Sequence, residues 1–187
     1  SRALNPSPPP LANGSHADTG NGEGTVHGGI ARDLTLKERY KDLSSLNDWD
    51  IRFQMMWSDP SSADVIPAAL QDASARFPFG RLQCQAFLQK VGCHTLVRGH
   101  EKVDEGFRRV YDDEHQMLIT LFSAGGKTNG DLPPDSSYRS VTPMAMSIHI
   151  KDDKSEIVPW RIRYEEFNTP ERNAFFRAAP EIEHRTE

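Results

Sequence analysis

Cysteine is scarce in this chain of 187 residues: Cys84 and Cys93 are its only two, nine positions apart. That spacing fits neither a zinc knuckle nor a redox pair, and both side chains are expected as buried thiols. Long apolar runs are missing too. None approaches the roughly 20 residues of a membrane span, and the N-terminus lacks the apolar stretch of a secretory signal. Positive charge is not in excess, since the formal net charge is -5. Such a chain has no general attraction for nucleic acid or an anionic membrane, so any anion it handles must be gripped locally. No internal repeat is visible. The expectation is a soluble, cytoplasmic protein with neither nucleic acid nor membrane as a partner.

Residues 1–24 hold four Pro, four Gly and three Asn against two sizeable apolar side chains, Leu4 and Leu11. A segment of that composition cannot offset its ordering entropy and reads as a tail or linker, leaving 25–187 for the folded part. Thr35 and Glu38 have capping-box spacing ahead of Leu36, Tyr40, Leu43 and Leu46, which predicts a helix ending near Asn47-Asp48. "IRFQMMWSDP" (51–60) begins with alternation and ends in a loop from Ser58 to Ala63. A second helix is predicted over 81–91, with Cys84, Phe87, Leu88 and Val91 inward and Gly92 as its C-cap. Strands follow at 94–98 and 117–123, with a short helix between them over 101–110. "VTPMAMSIHI" and "EIVPWRIRYE" form an antiparallel hairpin, and Thr169, Pro170 and Glu171 open a last helix. Short strands that end in polar, glycine-bearing loops predict a layered α/β architecture with functional groups at strand ends.

Two histidines stand beside glycine where a strand ends: His27 in "VHGG" and His100 in "RGHE". Glycine permits a tight turn and close approach of a ligand, and neutral imidazole ligates first-row divalent metals. Taken singly, such a histidine is more often a hydrogen-bonded structural residue than a ligand.

Between and after them lie Trp57-Ser58-Asp59-Pro60, Phe77-Pro78-Phe79-Gly80, Gly106-Phe107 and Phe122-Ser123-Ala124. In this order, with His27-Gly28-Gly29 and Arg98-Gly99-His100, the set resembles the C-terminal half of the phosphoprotein phosphatase family. These are serine/threonine phosphatases of the calcineurin-like metallophosphoesterase superfamily. The resemblance implies the C-terminal portion of a layered αββα fold, a sheet sandwich with flanking helices. It implies hydrolysis of phosphate monoesters by a hydroxide bridging two divalent metals (Mn, Fe or Zn, manganese favoured), with His27 and His100 on the same metal. The substrate would be a phosphoprotein or a small phosphoester. Arg76, near Phe-Pro-Phe-Gly, is the candidate phosphate-binding residue, because a guanidinium fork suits a tetrahedral oxyanion. It lies closer to that element than the family's arginine does, so the match is regional. Asp59 is expected to orient the metal-binding groups rather than ligate, and Arg98 to pair with a carboxylate such as Asp59 and hold the loop.

Gly125, Gly126 and Lys127 stand where the family has Pro-Asn-Tyr, so the usual aromatic hydroxyl near the phosphate is absent. Lys127 either replaces its charge or is a solvated loop residue. The region past residue 130 is more elaborate than the family's usual closing strands and resembles bacterial members. The motifs of the family's first half, GD-x-HG, GD-x-(x)-DRG and GNHE, do not occur, and "NGSHAD" (13–18) matches none of them. The chain therefore reads as one half of a site whose general-acid histidine lies elsewhere. The alternatives are a non-catalytic pseudo-phosphatase module and a dinucleoside polyphosphate hydrolase.

Overall fold

Residues 22–114, 116–130, 132–151 and 154–166 are described in the computed structural model of the chain. The first element is strand β1 (Gly22–Val26), followed by helix α1 (Asp33–Arg39), a 3-10 turn at Leu43–Asn47 and helix α2 (Trp49–Trp57). β2 (Asp59–Pro60), α3 (Ala68–Asp72), β3 (Pro78–Phe79) and α4 (Arg81–Val91) come next. The chain then runs through β4 (Cys93–Arg98), β5 (Phe107–Asp112) and β6 (Met117–Leu121), and closes with β7 (Met144–Lys151) and β8 (Lys154–Arg161). The principal sheet has the order β1-β4-β6-β5. β1, β4 and β6 run parallel, and β5 is antiparallel to β6.

The α/β class read from the sequence holds. α4 shows why: Gln83 accepts a hydrogen bond from the Gly80 amide at its N-terminus (2.9 Å), and Gly92 takes the left-handed conformation at its end (φ 72°). Its inward residues Cys84, Phe87 and Leu88 pack with Ile30, Ile51, Phe79, Leu96, Tyr111 and Leu118 into one core beside the sheet. Burial pushes the Cys84 thiol up to about 12, as expected of an inert core cysteine. β7 and β8 form the expected antiparallel hairpin, paired from Met144↔Arg161 to Lys151↔Lys154. Its base is tied to the sheet where the Met144 amide donates to the Phe122 carbonyl (3.1 Å). Among the described residues no helix is long and apolar enough to cross a membrane.

Four expectations need correction. The segment 101–110 is not a helix: it is a loop to Gly106 and then strand β5, because the free edge of β6 offers "FRRVYD" a ladder that outweighs helical propensity. "IRFQMMW" is a helix rather than an alternating strand. The Asp48 carboxylate accepts from the Asp50 and Ile51 amides (2.9 and 3.3 Å), and Ile51 and Gln54 turn inward at helical spacing. The helix expected through Leu46 breaks at Tyr40, whose backbone is extended, and resumes as the 3-10 turn capped by Asp42. Thr35 is not its cap; the Thr35 hydroxyl instead accepts from Gln54 Nε2 (3.0 Å). Finally, β1 begins at Gly22, inside the expected tail, because the β4 edge gives these glycine-rich residues hydrogen-bonding partners. The helix expected from Thr169 lies outside the described residues.

Candidate functional site

β1 and β4 are adjacent and parallel with Val26 opposite Arg98, so the residues after each strand emerge side by side at the C-terminal edge of the sheet. The amide of Gly99 donates to the His27 carbonyl (3.0 Å) and locks the two loops together. His100 follows at φ 67°, a left-handed backbone that non-glycine residues rarely adopt. The result is that His27 Nε2 and His100 Nδ1 lie 3.1 Å apart. Gly28 and Gly29 explain themselves here. Both amides donate to the Met55 carbonyl at the end of α2, and a Cβ at Gly29 would stand 2.3 Å from the Phe79 ring. A side chain at Gly28 would push the His27 loop off the helix, and one at Gly29 would push it off Phe79.

Asp59, on β2, sits between two arginines. Its Oδ1 accepts from Arg98 Nη2 at 2.7 Å and its Oδ2 from Arg76 Nε at 2.5 Å. The pairing expected of Arg98 is therefore present, and the structure adds two partners. The Arg98 side chain is fully buried and also donates to Glu101 Oε2 (2.6 Å) and to the Gly28 carbonyl. One guanidinium thus joins the loops that carry His27, Asp59 and His100. A buried cation with two carboxylates and a carbonyl is a satisfied one, which is what low-dielectric burial requires. Glu101 was not singled out from the sequence, where it reads as the start of a charged loop; its position directly after His100 was the available signal. Trp57 was also missed as a neighbour of the site: its ring stands edge-on to His100, with centroids 5.6 Å apart.

His100 Nε2 is buried without a hydrogen-bond partner among the described residues and lies 3.9 Å from Asp59 Oδ1. Burial holds the His100 imidazole below its ordinary pKa; the Asp59 charge opposes this, while Arg76, Arg98 and His27 reinforce it. The ring is neutral near pH 7, the form with a lone pair to offer. Two imidazoles sharing one cation at about 2.1 Å each stand about 3.0 to 3.4 Å apart, so the His27–His100 pair has the separation of two ligands to one metal. The pair fits part of a metal's shell and no more: among the described residues no group of three or more His, Cys, Asp or Glu could hold an ion. Arg76 is half-exposed on the 73–77 loop, one carboxylate away from this pair. Lys127 is exposed on the loop after β6, and its carbonyl accepts from Arg139 Nη1 (2.9 Å).

One strand end thus gathers a histidine pair, an arginine-bound aspartate and a second, exposed arginine. No protein-family model matches the chain. It is similar to the serine/threonine-protein phosphatase 4 catalytic subunit of Saccharomyces cerevisiae, at 29% identity over 102 residues. That alignment covers 53% of this chain and 32% of the yeast protein, so the chain spans about a third of its relative. Among solved structures it resembles a serine/threonine phosphatase from Saccharomyces cerevisiae with similarity to human phosphatase PP5. The TM-score is 0.47 at 18% identity, over 74% of this chain and 44% of that one.

Proposed function

We propose that this chain contributes the His27–His100 side of a phosphoprotein phosphatase site, acting on phosphoserine or phosphothreonine, within the layered αββα metallophosphoesterase fold. The single observation that carries the proposal is the 3.1 Å approach of His27 Nε2 to His100 Nδ1 at the ends of adjacent parallel strands. The sequence similarity to a serine/threonine phosphatase supports it. His27 and His100 would hold one of two divalent cations, manganese favoured, which when bound supply a polarised water and neutralise charge on the phosphate oxygens. Asp59 Oδ1 faces the far nitrogen of His100 at 3.9 Å and acts on the imidazole through its charge rather than through a hydrogen bond. Arg98 keeps Asp59 and the Gly28 carbonyl in register. Arg76 offers a guanidinium to the phosphate of the substrate.

A second reading, a non-catalytic module, draws on the count of ligands: the described residues supply two nitrogens and not a full set. The same assay separates the two. Calorimetric titration with Mn2+ is expected to show binding in the intact chain and its loss in His100→Ala. Manganese-dependent turnover of a phosphoserine peptide supports the phosphatase. Metal binding without turnover supports the module, and preference for a dinucleoside polyphosphate over the peptide reassigns the substrate. No Mn2+ binding at all would overturn the ligand roles of both histidines.

A further inference from the structure

Asp59 engages two arginines that differ in every respect that governs mobility. Arg98 is fully buried, lies on a central strand, and has three partners. The Arg76 side chain is 57% exposed, lies on the irregular 73–77 segment between α3 and β3, and reaches Asp59 through Nε. Its Nη1 and Nη2 make no hydrogen bond with the described residues. Asp59 itself is anchored twice over without Arg76: its amide donates to the Phe77 carbonyl (3.0 Å), and its Oδ1 is held by Arg98.

We propose that Asp59 is a resting dock for Arg76, and that a phosphate monoester binds by exchange: Arg76 leaves Asp59 for the dianion while Arg98 keeps Asp59 in place. This rests on the phosphatase reading above and goes beyond it by assigning Arg76 two positions. The chemistry favours such an exchange. A guanidinium with its Nη groups free can present a two-pronged fork to a tetrahedral oxyanion. The dock opposes premature capture of weak monoanions, because a ligand must compete with an internal carboxylate. Releasing one arginine also leaves the buried charge balance intact, since Arg98 still faces Asp59 and Glu101. Asp59 is thereby a specificity-determining residue: it sets how strongly an anion must bind before Arg76 moves.

The test is NMR of the arginine Nε–Hε groups in the intact chain, titrated with inorganic phosphate in magnesium-containing buffer. Arg76→Lys identifies the Arg76 resonance, and the His27 and His100 ring signals report binding independently. The expected result is that phosphate moves the Arg76 resonance away from its carboxylate-bonded position while the Arg98 resonance stays. In Asp59→Asn, apparent phosphate affinity is expected to rise about three- to tenfold, because the competing docked state is gone. Should that variant not fold, the titration of the unsubstituted chain decides alone. Phosphate binding with Arg76 still on Asp59, or tightness in a folded Asp59→Asn no better than before, overturns the exchange and leaves the phosphatase reading standing. No response of any signal to phosphate overturns both.

Discussion

Strand β4 and the β7–β8 hairpin draw on the same β-branched and apolar residue types, yet the molecule uses them in opposite ways. In β4 the last four residues, Thr95 to Arg98, are all buried, because β1 and β6 flank the strand and α4 covers it. In the hairpin no described residue of either strand is fully buried, and Ile150 and Trp160 are 69% and 49% exposed. The buried strand delivers a charged residue to its end and can keep it ionised only by surrounding it with partners. The hairpin carries its charged residues at no such cost, and none of the site residues lies on it. The candidate site sits where burial makes geometry strict.

This contrast can be broken in graded steps. The largest effect is expected for Arg98→Ala, which removes the buried partner shared by Asp59, Glu101 and the Gly28 carbonyl and costs about 3–5 kcal/mol; urea unfolding measures it. Leu118→Ala, in the core beneath the same sheet, is expected to cost about 2–5 kcal/mol. Gly29→Ala drives a Cβ into Phe79 and is expected to cost about 1–3 kcal/mol. The diagnostic companion is a change in the His27 and His100 ring signals, which simple destabilisation elsewhere would not produce. Ile150→Thr on the hairpin should change stability by no more than about 0.5 kcal/mol. If Ile150→Thr matched Leu118→Ala, the hairpin would have a burial that this comparison denies it.

Alkaline pH acts on the buried part of the molecule. The folded Cys84 thiol stands at about 12 against 9.0 for an unperturbed thiol. The native state therefore binds more protons than the unfolded state between those values. Stability from this group is fully present below 9.0 and is lost as pH rises toward about 12. Tyr111, also raised by burial, acts in the same sense. Denaturation midpoints measured across pH 8 to 11, taken as about the accessible window, should fall, and Cys84→Ala should flatten the slope.

Much of the candidate site was legible in the sequence as motifs, and little of it as geometry. Histidine next to glycine marked His27 and His100, and "WSDP" marked Asp59. The pairing of Arg98 with a carboxylate followed from its position before Gly99. Glu101 was not legible, because its meaning depends on Arg98 turning back three residues to meet it. "IRFQMMW" is short enough to satisfy either period, and 101–110 has helical composition beside a strand edge that claims it; the Asp48 cap decided the first and pairing with β6 the second.

What the sequence determined by itself was local and chemical: the α4 helix with its Gly92 stop, the buried thiol of Cys84, the turn glycines, and which side chains could handle a metal or an anion. Those follow from backbone sterics and side-chain chemistry, which travel with the residue. Only the tertiary structure decided that His27 Nε2 and His100 Nδ1 meet at 3.1 Å, and that one aspartate holds both a buried and an exposed arginine. Seventy-three positions separate the two histidines. The reason they meet is the parallel register of β1 and β4, which the hydrogen-bond ladder between strands sets and no single segment encodes.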